Sequence, residues 1–209
     1  MKRVGLALVV AVAFATPAVA QEKASGKMPS GWQLHLDNGS ADASKVGFLD
    51  LGKDNYHITT GPAALFWSAA NANMKGPYTI TATFTQVKAP AHPEAYGVFI
   101  GGKNMDTKDA EYAYLIIRGD GKYSVKHRAN ATDVHTVQDW TDLPELNKQD
   151  AAGKATNTVS WVLDAAGAHA LVNGKEVWTN RISGDGVAGL RVNHQLEVHV
   201  SDFKVTPAK

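Results

Sequence analysis

One stretch constrains the fold more than any other. Glu111–Arg128, EYAYLIIRGDGKYSVKHR, joins a run rich in Tyr, Leu and Ile to a second alternating run through Asp120-Gly121. This pattern predicts a β-hairpin, because Asp-Gly supplies the positive φ of a two-residue type I′ turn, whose twist matches the flanking strands. With Gly119 and Lys122 flanking the turn, Arg118 falls opposite Tyr123, Ile116 opposite Val125 and Tyr114 opposite His127. One face then carries Tyr112, Tyr114, Ile116, Arg118, Tyr123, Val125 and His127, and the other Ala113, Leu115, Ile117, Ser124, Lys126 and Arg128. Neither face is purely apolar. The hairpin is therefore expected mid-sheet, with the core on one side and a wet, chemically specific surface on the other.

The rest of the chain repeats this language. Tyr78–Val87 places Tyr78, Ile80, Ala82 and Phe84 on one face and Thr79, Thr81, Thr83 and Thr85 on the other, the period of a strand with one face on the core. Trp32–Leu36, Val46–Leu51, Tyr56–Thr60, Ala63–Ser68, Ala95–Gly101, Thr156–Leu163, Ala168–Val172 and Lys175–Thr179 read as further strands, with Asn173-Gly174 as a second hairpin signal. Val187–Val192 and Leu196–Val205 read as a closing strand pair around Asn193-His194-Gln195, while Ala129–Asp150 reads as a long connection. Turn signals recur about every 8–12 residues and no helical period follows residue 20, which predicts an all-β, two-sheet antiparallel β-sandwich over residues 31–206.

The first residues have the form of a secretory signal. Lys2 and Arg3 precede an apolar run from Val4 to Phe14, and Ala18-Val19-Ala20 forms a small-residue cleavage site before Gln21. Residues 1–20 are thus expected to be removed, residues 21–30 to form a flexible lead-in, and the protein to be periplasmic or secreted in a bacterium. The apolar run is too short to span a bilayer. With no cysteine in the chain, disulfides and thiol chemistry are excluded. Loss of Lys2 and Arg3 leaves 19 basic against 20 acidic residues, a net charge near −1 that argues against a nucleic acid or anionic membrane partner. Oligomeric state stays open.

NTVSWVLDAAGAHALVNGKEVW resembles the penultimate hairpins of concanavalin A-like, laminin G-like jelly rolls, and GVAGLRVNHQLEVHVSDFKV resembles their closing strands. The order of elements is also similar to secreted bacterial domains related to 3-keto-disaccharide hydrolases. The resemblance covers Trp32 to Val205 and implies a jelly roll, a fold that hosts lectins, glycosidases and spacers alike. The Glu-x-Asp-x-x-Glu strand of laminarinase-type enzymes is missing, as is the Asn-Ser-Gly of the keto-disaccharide group, so no catalytic residue is carried over. The resemblance allows one ion, a structural calcium on loop carbonyls and an Asp; no other cofactor is assigned.

Carbohydrate recognition needs aromatic platforms for sugar C–H faces with polar groups alongside for hydroxyls. Trp67, Tyr96, Tyr112, Tyr114 and Trp140 could supply the first, with Phe99 brought to the same face, and Arg118, His127, Arg128, Arg191 and Asn193 the second. Arg191 alternates with Leu190 and Val192, so it should leave the core face, and its planar fork suits paired hydroxyls or a carboxylate. Gly97, Gly101 and Gly189 read as bare backbone on three strands of one sheet, where a ligand could approach. The expected function is binding of a carbohydrate or glycoside on a concave sheet face. One alternative is a hydrolase or lyase using Glu94, Glu111 or Glu197 with His127 or His199; another is a cell-envelope interaction module. His194, Glu197 and His199, with His92 and Glu94, have metal-ligand chemistry, but without a Cys or a tight Asp cluster no metal is assigned.

Overall fold

The computed structural model describes residues 28–207, so the expected signal and most of the lead-in lie outside the described residues. Fourteen strands form two antiparallel seven-stranded sheets packed face to face. Sheet I runs β1 (Trp32–Leu36), β4 (Ala64–Ser68), β13 (Val187–Val192), β6 (Ala95–Lys103), β7 (Glu111–Arg118), β8 (Lys122–Arg128), β9 (Val134–Asp142). Sheet II runs β12 (Lys175–Asn180), β11 (Ala168–Val172), β10 (Ala155–Leu163), β5 (Tyr78–Gln86), β14 (Glu197–Pro207), β3 (Asn55–Thr59), β2 (Gly47–Gly52). Among the described residues no helix is long and apolar enough to cross a membrane.

β5 alternates buried and half-buried residues along its whole length, with Tyr78, Ile80, Ala82 and Phe84 inward. They meet Phe66, Tyr96, Val98, Leu115 and Trp161 in one core between the sheets. The outward threonines pair with hydroxyls of β10: Thr81 with Ser160 at 2.7 Å, Thr83 with Thr158 at 2.9 Å and Thr85 with Thr156 at 2.8 Å. Met28, at the edge of the expected lead-in, packs half-buried against the same core.

The central hairpin forms, but its register differs by one residue from the expected one. Ile117 faces Tyr123, Leu115 faces Val125 and Ala113 faces His127. The cause is the turn: β7 ends at Arg118 and β8 starts at Lys122, leaving a three-residue connection closed by Gly121 N–H donating to the Arg118 carbonyl, with positive φ at Gly121. In a strand pair a one-residue slip exchanges the faces of one partner. Ala113, Leu115, Ile117, Tyr123 and Val125 therefore point into the core. Tyr112, Tyr114 and Ile116 point outward with Ser124, Lys126 and Arg128.

Three other expectations are corrected. Residues 129–150 contain β9, an edge strand on β8 with two register shifts and a mostly exposed face, which hides the alternation a strand normally shows. β13 and β14 do not pair with each other; the turn between them carries the chain from sheet I to sheet II. Gly97 and Gly101 share β6, so the three glycines occupy two strands. A Cβ at Gly97 would lie 2.0 Å from the Leu115 carbonyl oxygen and one at Gly189 2.2 Å from that of Phe66, so neighbouring backbone, not a ligand, demands glycine there.

Candidate functional site

The outer face of an antiparallel sheet is ordinarily polar and wet. On sheet I it carries a second apolar cluster: Leu65, Trp67, Phe99, Tyr112, Tyr114 and Ile116 are all buried, and Trp140 of β9 packs half-buried against them. Period two sends these residues outward, since Leu65 and Trp67 alternate with Phe66, Phe99 with Val98 and Ile100, and Tyr114 with Leu115. Phe99 is 0% exposed and touches Trp67 and Tyr112 edge-on at 6.5 and 5.7 Å, which makes it a floor beneath the site instead of a ligand contact.

An ion cluster is built into this layer. Arg191 donates to both oxygens of Asp37, at 3.1 Å to Oδ1 and 2.6 Å to Oδ2, and to the Tyr112 hydroxyl at 2.9 Å. Tyr112 in turn donates to Asp37 Oδ1 at 2.8 Å. The Arg191 guanidinium lies 4.4 Å over the Tyr114 ring. Arg128 approaches Asp37 Oδ2 at 3.5 Å and donates to the Asn130 and Ala131 carbonyls, each at 3.2 Å. Arg191 leaves the core face as alternation predicts, but its fork is already engaged by a carboxylate from the loop after β1.

The electrostatics follow from that geometry. Burial alone would raise the Asp37 pKa, but the charges and hydrogen bonds of Arg191, with Arg128 and Tyr112, hold it well below the usual carboxylate range. Burial pushes the Tyr112 and Tyr114 hydroxyls up, so both stay protonated. His35, whose Nδ1 sits 3.0 Å from the Met105 carbonyl oxygen, is pushed down chiefly by burial. Two permanent cations therefore face one carboxylate. Arg128 Nε and Arg191 Nε are both buried without a partner among the described residues. Next to this cluster Trp140 lies under Arg118 at 4.6 Å and Lys126 at 5.8 Å, and Arg118 is paired with Asp120. The band from Arg191 to Trp140 thus holds four cations against two carboxylates.

Tyr112, Tyr114, Arg118 and Arg191 are brought together as expected. His127 is not: the register shift turns it to the other face, where it stacks on His135 at 6.1 Å and approaches Glu111 at 3.7 Å. Asn193 lies in the turn after β13, its N–H donating to the Ala95 carbonyl and its side-chain oxygen buried without a partner among the described residues. Of the other candidates, Trp67, Trp140 and Arg128 also join this face, whereas Tyr96 points into the core; Asp37 and Lys126 are additions. Arg128 reaches it because the register shift turns its side of β8 outward, and Trp140 because residues 134–142 form β9 beside β8.

The candidate acids do not converge. Glu94 precedes β6 and Glu111 faces Lys103 at its far end, so the nine residues of β6 separate them by roughly 30 Å at about 3.3 Å per residue. Paired glycosidase carboxylates stand about 5–10 Å apart. Glu197 lies on sheet II, held by Lys88 at 2.7 Å and near His57 at 3.6 Å, while His199 packs edge-on against His57 at 4.7 Å.

No family model matches the sequence, and no curated protein matches it. Solved structures do match. The chain is similar to carbohydrate binding module CBM66 from Bacillus subtilis, at 10% identity and TM-score 0.56, over 84% of this chain and 95% of that one. It is similar to a Bacillus licheniformis β-glucanase at 10% identity and TM-score 0.54, over 90% and 97% of the two chains. A third match is alginate lyase A1-II′ of polysaccharide lyase family 7, at 11% identity and TM-score 0.53, over 86% and 96%. The chain has the concanavalin A-like jelly-roll fold. At these identities the likeness speaks for fold alone.

Proposed function

We propose that this protein binds a saccharide carrying carboxylate groups on the outer face of sheet I, in the band from Arg191 across Tyr114 to Trp140. The observation that carries this reading is the charge surplus set beside aromatic surface: four cations against two carboxylates, in a chain whose formal net charge is only +1. Half-exposed Trp140 offers apolar surface to a sugar, and the Arg118 and Lys126 cations over its ring are placed for a uronate carboxylate. Arg128 stands at the inner end with an unpartnered Nε, while Asp37 and Arg191 hold the platform rigid beneath. The fold is shared with a carbohydrate binding module and with an alginate lyase, which supports a saccharide ligand; the acidic character rests on the charge surplus.

The test is calorimetric titration with oligouronates and with neutral oligosaccharides of the same linkage. Uronate binding should weaken as salt is raised, because contacts between exposed charges are screened. Lys126→Gln should reduce uronate affinity several-fold and leave thermal stability unchanged. Equal affinity for neutral and acidic oligomers, or indifference to salt, would remove the acidic assignment.

A further inference from the structure

Away from that face, at one end of the sandwich, two histidines and a glutamate meet. His92 Nδ1 lies 3.0 Å from Glu94 Oε1, and His194 Nε2 lies 2.8 Å from the same oxygen. The two imidazoles contact each other edge-on at 5.6 Å between ring centres, and the three ligand atoms all fall within 4.8 Å of one another. The chain is built to bring them there. Pro93 sits between His92 and Glu94, fixing its own φ and restricting His92, while the Asn193 N–H to Ala95 carbonyl bond pins the β13–β14 turn, with His194, against the start of β6.

The burial is unequal. Glu94 is 7% exposed, whereas the His92 and His194 side chains are about half exposed. A buried carboxylate needs a cation or several hydrogen bonds to offset its lost hydration. Among the described residues no Lys or Arg lies within ion-pair distance of Glu94, and an imidazole is not a permanent cation. A metal ion bonded at about 2.0–2.2 Å to imidazole nitrogen and carboxylate oxygen sets its ligands about 2.8–3.6 Å apart at right or tetrahedral angles. The two contacts to Glu94, at 2.8 and 3.0 Å, lie at the short end of that spacing.

We propose that His92, Glu94 and His194 form a binding site for a divalent transition metal ion, with remaining coordination positions open. Two imidazoles and one carboxylate suit zinc and its first-row neighbours, and three protein ligands leave room for water or an oxygen of a bound molecule. Two of the three, His92 and Glu94, also line a cleft of about 200 Å³ with Pro93, Gly119, Asp120 and Gln149. The exposed imidazoles are the route by which an ion enters. The proposal stands apart from the saccharide reading, since none of its three ligands belongs to that band.

The experiment uses purified protein stripped with a chelator and then titrated with zinc by calorimetry and with cobalt by visible absorption. One equivalent of zinc should bind with micromolar or tighter affinity, and cobalt should develop the absorption of a low-symmetry site with nitrogen and oxygen donors. His92→Ala and His194→Ala, both at half-exposed positions, should each weaken zinc binding at least tenfold while circular dichroism stays unchanged. Glu94→Gln should do the same if it folds; the histidine variants keep the test decisive if it does not. His169→Ala is the control, because His169 contacts Glu176 and Asp164 in a separate cluster, and it should bind as the wild type does. Wild-type affinity in both histidine variants, loss of binding in the control alone, or no zinc binding tighter than millimolar would overturn the proposal.

Discussion

The two outer faces of this sandwich cover the same core but are built from different chemistry. On sheet II, β5 and β10 present a ladder of threonine and serine hydroxyls that satisfy one another across the strands at 2.7–2.9 Å. On sheet I the equivalent positions hold tyrosines, a phenylalanine and two guanidiniums around one carboxylate, all buried or nearly so. The hydroxyl ladder is what a face needs in order to be soluble, and each rung contributes a fraction of a kcal/mol. The aromatic and ionic layer is far more than solubility requires. Burying cations costs free energy unless each is paired, and two share one partner here. The fold is set by the inward residues common to both sheets; what distinguishes the faces is the aromatic and ionic layer on one of them, the face proposed to bind.

This contrast can be broken most forcefully at Asp37. Asp37→Asn leaves Arg191 and Arg128 without their counter-charge, and breaking a buried ion pair from one side costs about 3–5 kcal/mol. Phe84→Ala, a cavity in the common core, should cost about the same, 3–5 kcal/mol. An outer-face substitution would then equal a core deletion in urea unfolding. A loss below about 1 kcal/mol at Asp37 would reduce the cluster to ordinary surface charge. Acid should narrow the gap between wild type and Asp37→Asn. The folded-state pKa of Asp37 is depressed, so its contribution is complete above the unfolded carboxylate value of about 4 and is lost as pH falls below it. Unfolding curves at pH 7 and pH 3 check this.

Smaller effects sharpen the comparison. Trp140→Ala should weaken oligouronate binding about tenfold while costing about 1–2 kcal/mol of stability, from the cation–π contact with Arg118 and half-buried packing on the cluster. Thr83→Ala on the other face should cost under about 1 kcal/mol and leave binding untouched. If Thr83→Ala weakened binding as Trp140→Ala does, the functional face would be the wrong one.

The parts of this picture legible in the sequence are those carried by local periodicity. Tyr78 to Gln86 alternates without interruption and is found as read; Arg191, between Leu190 and Val192, leaves the core face as read. What local pattern does not carry is register and partnership. Asp-Gly suits a two-residue turn, but here Gly121 alone takes positive φ at the end of a three-residue connection, and that one residue moves His127 out of the site and Arg128 into it. β9 is exposed and bulged, so Trp140 had no strand to belong to. Asp37 lies 154 positions from Arg191 in a loop of Asp, Asn, Gly and Ser, a composition that otherwise signals only a turn. Likewise His194 looks along β14 toward Glu197 and His199 in sequence, yet the change of sheet after β13 delivers it to His92 and Glu94.

The most direct measurement of the central claim is a two-dimensional amide and indole NMR titration of the ¹⁵N-labelled protein with an oligouronate. Binding on the outer face of sheet I predicts perturbations concentrated at Arg118, Lys126, Arg128 and the Trp140 indole, with Thr81–Thr85 and Thr156–Ser160 unmoved. Perturbations gathered on the hydroxyl ladder of sheet II, or none at saturating oligouronate, would contradict it.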